Sequence, residues 1–255
     1  MWKKLRITFF AYILVLVAAT TMSTRQRHAD WEHSLWVTVY PINGDGSAVA
    51  DDYINSLNED SFSSIEEYIV EQSLDFNLSA RLPVDIKLSG EVKTLPPSPP
   101  EAHSGISVVL WSLKMRWWAW RANNFNGPSD VKIFVLYFDP ETNPRLRHSL
   151  GLRKGFLGVV NAFADSSYAG QNKVVLTHEL MHALGASDQY DPNTNYPLHP
   201  KGFAAPFKTP LLPQSKATLM AGRIPLNEND SSMPLSLKQT VISPYAALEI
   251  GWKKE

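Results

Sequence analysis

Thirteen residues, His178 to Tyr190, constrain this chain more than any other stretch. They read H-E-L-M-H-A-L-G-A-S-D-Q-Y. Two histidines stand four apart, and a glutamate follows the first directly. On a helix, positions i and i+4 lie one above the other on the same face. Both imidazoles can then reach one metal ion. Glu179 stands beside them, where it can take the proton of a water held there. The context is helical, V-V-L-T-H-E-L-M-H-A-L, with Leu176, Leu180 and Leu184 on the opposite face. Any fold for this chain must bury that face while leaving the histidines open to a cleft.

A helix end and a third ligand follow from the same stretch. Gly185 comes three residues after His182, and glycine readily adopts the conformation that ends a helix and turns the chain back. Asp188 lies six residues after His182, where a reversed chain can return it to the metal. A catalytic zinc takes three protein ligands and keeps one position open. The chain has no cysteine, so only His, Asp and Glu remain as strong ligands. His178, His182 and Asp188 are the expected set, with His199, Asp191 and Glu228 as rivals for the third place. One catalytic Zn²⁺ would lower the pKa of a bound water towards ~7 and polarise a carbonyl. Glu179 would act as general base and pass the proton to the leaving amine. Tyr190 or Tyr196 would support the developing oxyanion.

The pattern H-E-x-x-H-x-x-G-x-x-D resembles that of the metzincin clan of zinc peptidases, whose usual third ligand is histidine. The aspartate version is similar to snapalysin-type bacterial peptidases, and L-G-A-S-D-Q-Y resembles the matching run in immune-inhibitor-A-type peptidases. The resemblance covers 156–222, about a quarter of the chain. It implies a partly parallel, twisted sheet over the active-site helix, with a substrate cleft along an edge strand. Phe156 to Phe163 is the candidate for that strand, where an extended peptide could add. It also implies a turn with a methionine beneath the metal. Ala217-Thr218-Leu219-Met220-Ala221-Gly222 fits best, and Met22, Met115, Met181 and Met233 fit less well. The chain departs from the clan in its aspartate ligand, in a proline-rich loop after it, and in having no tyrosine close after Met220.

Composition excludes several other classes. The net charge of −1 offers no basic field for nucleic acid. Apolar residues at 44% and charged residues at 19% describe a globular chain. Lys3, Lys4 and Arg6 precede an uncharged run from Ile7 to Met22, which reads as a signal peptide, cut after Ala19, or a signal anchor. The chain is therefore expected to be exported, periplasmic or extracellular, and to meet a membrane only through that run. Residues 23–33 read as a tether and 34–255 as one metallopeptidase-like domain.

The fold class expected is α/β (α+β). Trp36 to Tyr40 reads as a strand ended by Pro41, and Leu82 to Val92 as another. Asp51 to Asn58 and Ser61 to Leu74 read as helices. In the second, Ser63 or Ser64 is the expected cap, and Ile65, Tyr68, Ile69 and Gln72 share a face. Ile106 to Asn123 reads as a core helix whose apolar stripe is Ile106, Val109, Leu110, Leu113, Trp117 and Trp120, with Trp118 outside it. The competing reading is an aromatic and basic surface. Val131 to Phe138 reads as a central strand buried on both faces. Asp191 to Pro213 is loop, and Ser243-Pro244 starts a last helix.

The expected function is hydrolysis of peptide bonds in a peptide or protein substrate. The competing classes are another zinc amidohydrolase, acting on cell-wall peptides, and a non-enzymatic metal-binding assembly module. Glu179 argues against the module, because a structural site needs no base and is usually closed by a fourth ligand.

Overall fold

The computed structural model describes residues 31–78, 82–100, 105–152 and 156–253, without the side chains of 105, 106 and 150–152. The expected signal or anchor segment 1–22 and all but the end of the tether lie outside these residues. Among the described residues, no helix is long and apolar enough to cross a membrane.

The sheet is organised by β3 (Val131–Phe138), V-K-I-F-V-L-Y-F. Successive side chains point to opposite faces. Ile133, Val135 and Tyr137 face one apolar cluster, and Phe134 and Leu136 face another. Both faces are covered, which is why the strand is apolar almost throughout. β3 lies between β1 (Leu35–Asn43) and β5 (Leu157–Phe163), with β2 (Val84–Leu88) outside β1 and β4 (Leu150–Leu152) outside β5. The order is β2-β1-β3-β5-β4. The first four strands are parallel, and β4 runs antiparallel to β5.

Two sequence expectations are corrected in the sheet. Pro41 does not end β1, which pairs with β3 through Asn43. The Pro41 carbonyl accepts from the Val92 N–H on the β2 side, beyond the last residue of β2. The missing N–H of the proline points the same way, where no strand remains to receive it. Nor is the 156–163 segment the edge strand. β5 is paired along its whole length with β3, and Leu157 to Val159 also pair with β4. The edge belongs to β4 and to the loop before it, which Asn161 holds alongside β5. Its side-chain amide donates to the carbonyls of Arg147 and His148, and its backbone N–H to the Ser149 hydroxyl.

Helices cover both faces. On one lie α1 (Ala48–Ser56), α2 (Ser63–Leu74) and α4 (Ala169–Leu184), all in the larger apolar cluster. α2 buries Ile65, Tyr68, Ile69 and Gln72 as its spacing predicts. Its expected serine cap is absent. Instead Asn58 and Ser61 form a capping box on a short 3₁₀ turn, Glu59–Phe62, that leads into it. The last helix, α5 (Pro244–Glu249), is capped by the Ser243 hydroxyl, with proline in the first turn as expected.

On the other face lies α3 (Gly105–Ala122). Here the sequence expectation is inverted. Met115 and Ala119 are buried, and Trp111, Trp118 and Ala122 pack beside them against Phe134 and its neighbours. Val109, Leu110, Leu113, Trp117 and Trp120 are exposed. Trp118, expected outside the packed stripe, stacks obliquely on Phe134 and donates to the Thr94 hydroxyl. The periodicity correctly finds a helix and an apolar stripe, but the helix docks through its small and flexible residues.

Between α4 and β6 (Ala217–Thr218) the chain has no helix or strand, only isolated bridges such as Tyr190 to Pro197. β6 pairs with β9 (Thr240–Val241), and β7 (Ile224–Asn227) with β8 (Asp230–Ser232).

Candidate metal centre

α4 carries His178 and His182 one turn apart, their rings edge to face with centroids 4.6 Å apart. Leu180, Met181 and Ala183 on the same helix are fully buried, so the helix cannot rotate without exposing its core face. Each imidazole is fixed by its Nδ1. That of His178 lies 2.9 Å from the Leu219 carbonyl, and that of His182 lies 2.8 Å from the Ala186 carbonyl. A carbonyl can only accept, so each Nδ1 carries a proton, and each Nε2 is the atom that would be left to a metal ion.

The helix ends as the sequence predicts. Gly185 has φ of 120°, and its N–H donates to His182 and Met181 carbonyls. The next N–H, of Ala186, also donates to Met181. This reversal returns the chain towards the histidines. The Asp188 Oδ1 lies 3.0 Å from His182 Nε2 and 3.3 Å from His178 Nε2. The three side chains form a group that can hold a metal ion. Bonds of ~2.0–2.1 Å at tetrahedral angles would put neighbouring ligand atoms about 3.3 Å apart, which the two edges to Asp188 match.

The electrostatics of the ion-free group are those of a tight pair. Burial pulls the His182 pKa down, but the Asp188 hydrogen bond and charge, with the Ala186 carbonyl, outweigh it and raise the value above 6.5. Burial raises that of Asp188, but hydrogen bonds from both histidines and their charge hold it far below the usual carboxylate range. Glu179 is buried beside them. Tyr190 is pushed up to about 12 by burial, then by the charge and hydrogen bond of Asp188.

The Met220 turn lies directly against this loop. Met220 is buried, its carbonyl accepts from the Gln189 N–H at 2.9 Å, and the residue before it holds His178. The other sequence candidates stand apart. The Tyr196 hydroxyl donates to the Asn227 carbonyl, outside the groove lining. Exposed His199 bonds the Pro206 carbonyl, and Asp191 caps the turn at Asn193 and Thr194. Glu228 lies on the exposed β7–β8 turn. None of these three rivals joins the metal-binding group among the described residues.

Supports not anticipated from the sequence come from far along the chain. The Glu249 carboxylate of α5 accepts from the Ser187 N–H at 2.7 Å and from the Ser187 hydroxyl. It thereby clamps the residue before Asp188. The buried Gln189 amide, on the other side, bonds the Ser243 hydroxyl at the start of α5. No spacing in the sequence signals contacts across so many residues.

The centre opens into a groove of about 1080 Å³. Arg145, Arg147 and His148 line one wall and Arg223 another, and among the described residues Glu179 and Asp188 are the only acidic ones that line it.

No family model matches the chain, and no curated protein matches it. Among solved structures it is similar to one described as "Structure of a chaperone-substrate complex", at 14% identity and a TM-score of 0.41. That similarity covers 87% of this chain and 35% of the other, so this chain spans about a third of its length.

Proposed function

We propose that this chain is an exported zinc-dependent metallopeptidase of metzincin type, with His178, His182 and Asp188 as ligands and Glu179 as general base. One observation carries the proposal. Two tautomer-fixed histidines and a carboxylate converge at tetrahedral-edge distances, with a buried glutamate next in sequence to one of them.

A zinc ion held there would supply Lewis acidity to a substrate carbonyl and acidify a water molecule. The chain's own groups do the rest. Glu179 accepts a proton from the attacking water and delivers it to the leaving amine. Glu179 is buried, close to Gly158 of β5, and lines the groove beside the two histidines. The Tyr190 hydroxyl is held protonated by burial and by its bond to Asp188; were Asp188 turned to a metal ion, that one proton would be released to donate to the developing oxyanion. Tyr196, already bonded elsewhere, is not assigned that role. The loop before β4 offers an extended wall for a peptide backbone, and Arg145, Arg147 and Arg223 favour substrates with acidic side chains.

Glu179→Gln tests the reading. The variant should bind zinc as wild type does, and lose 10²–10⁴-fold in turnover of a peptide library rich in Asp and Glu. Full activity in that variant, or wild type that takes up no zinc, would refute it.

A further inference from the structure

The outer face of α3 has no part in the metal centre, and its side chains are arranged in an unusual way. Val109, Leu110, Leu113, Trp117 and Trp120 are 57–73% exposed. At about 100° per residue, these five occupy one continuous arc opposite buried Met115 and Ala119. Arg116 borders the arc on one side, and Arg121 and Lys114 border it on the other. All three cations are exposed, and the Arg121 guanidinium lies 5.1 Å from the Trp117 ring centre. Residues 105–122 contain no aspartate or glutamate.

A soluble surface scatters single apolar residues, whereas a contiguous patch marks a partner. The chemistry of this patch selects the partner. Tryptophan concentrates at membrane–water interfaces, where its ring is apolar and its N–H finds polar groups. Arginine and lysine flanking an apolar stripe reach outward to phosphate headgroups. The charged rim of the patch is cationic on both sides and carries no acidic residue, which complements an anionic surface. The helix cannot cross a bilayer, and its inner face is committed to the sheet.

We infer that α3 docks flat on an anionic lipid bilayer, with Leu113, Trp117 and Trp120 in the interfacial layer and Arg116, Arg121 and Lys114 on lipid phosphates. The surface rests on α3 alone and is independent of the proposed peptidase activity. It adds a second membrane contact to the one expected at residues 7–22.

The absence of cysteine makes the test direct. Leu113→Cys in the full chain takes one environment-sensitive fluorophore, and Asn193→Cys serves as an exposed control. Phosphatidylcholine vesicles with and without phosphatidylglycerol are compared. The label at 113 should move to a blue-shifted, quencher-protected state on the phosphatidylglycerol vesicles, and the label at 193 should not. Charge removal should lower the docked-to-undocked ratio about fivefold per cation, so an Arg116→Gln/Arg121→Gln pair should lose roughly 25-fold. Trp117→Ser/Trp120→Ser should lose docking on the phosphatidylglycerol vesicles although all three cations remain. A label at 113 that stays water-exposed on anionic vesicles overturns the inference. Protection of that label in lipid-free solution also overturns it, because a second copy of the chain, or residues 7–22, would then cover the face.

Discussion

A single methyl group at Gly202 should loosen the metal centre without touching it. A Cβ there would lie 2.3 Å from the Gln189 carbonyl oxygen, 2.8 Å from the Leu198 nitrogen and 3.0 Å from the Leu198 oxygen. All three are backbone atoms, which cannot swing aside as a side chain would. Ordinary contact needs ~3.5 Å, so the strand of chain at Gln189 must retreat by about 1 Å. That retreat strains two hydrogen bonds, Leu198 N–H to Gln189 and Gly202 N–H to Leu198, now 2.8 and 2.6 Å. Overpacking of this kind costs roughly 1–3 kcal/mol. For a chain of this size that is a melting-temperature loss of roughly 2–12 °C. Gln189 is also the residue after Asp188, and its N–H is tied to Met220. The shift therefore reaches the ligand, and zinc affinity should fall roughly 10–100-fold, as it does when a supporting contact is lost. Differential scanning fluorimetry and competitive zinc titration measure both quantities. Gly46→Ala is the control: its φ of 74° makes alanine strained, but its Cβ meets nothing within 4 Å. That variant should lose stability and keep its zinc affinity. If Gly202→Ala bound zinc as wild type does, the loop would not set the ligand's position and the reasoning would be wrong.

Other perturbations probe the same assembly. Glu249→Ala removes the acceptor for two Ser187 donors and should weaken zinc binding about 10-fold, read by the same competitive titration. Zinc needs an unprotonated Nε2, and the raised pKa of His182 means protons compete from above pH 6.5 downward. Apparent zinc affinity should begin to fall above that pH on acidification, and a titration series across pH locates the onset. In the ion-free protein the signs oppose each other. The raised His182 value contributes stability below 6.5 that is lost as pH rises through it, and the depressed Asp188 value contributes stability above 3.8 that is lost on acidification. The pair should therefore support the ion-free fold best between those limits, as melting curves across pH would register. Arg145→Glu with Arg147→Glu should lower kcat/KM on acidic peptides about 10-fold or more, with a neutral peptide little changed and the difference fading at high salt.

What the sequence discloses is what local spacing controls. The i and i+4 histidines, the glycine turn and Asp188 fall within eleven residues, so helix geometry alone brings them together. β3 is legible because burial on both faces demands apolarity at every pleat. α3 misleads for a related reason. It is apolar nearly all round, so periodicity can identify a stripe but cannot say which stripe meets the sheet. The sheet takes Met115 and Ala119, because Phe134 and Trp118 already fill that space and small or flexible side chains let the helix approach. Pro41 misleads because its effect depends on where β2 stops, which nothing near residue 41 encodes.

The distant supports follow a different logic. Two of the three ligands are held by groups from far along the chain: His178 by the Leu219 carbonyl, and Asp188 through its two neighbours, Ser187 bound by Glu249 and Gln189 bound by Met220 and Ser243. All three lines lead to the segment 217–249, the β6–β9 pair and α5. A backbone carbonyl can be supplied by any residue type, so the Leu219 contact leaves no trace in composition. Only the methionine and the capping serine are visible in advance, and neither declares what it will touch. The histidines are thus oriented before any ion arrives, and the cost of ordering them falls on folding rather than on binding. A site built in this way should tolerate changes in the exposed loop 192–195 far better than changes in α5, although the loop is near the metal in sequence and α5 is far from it.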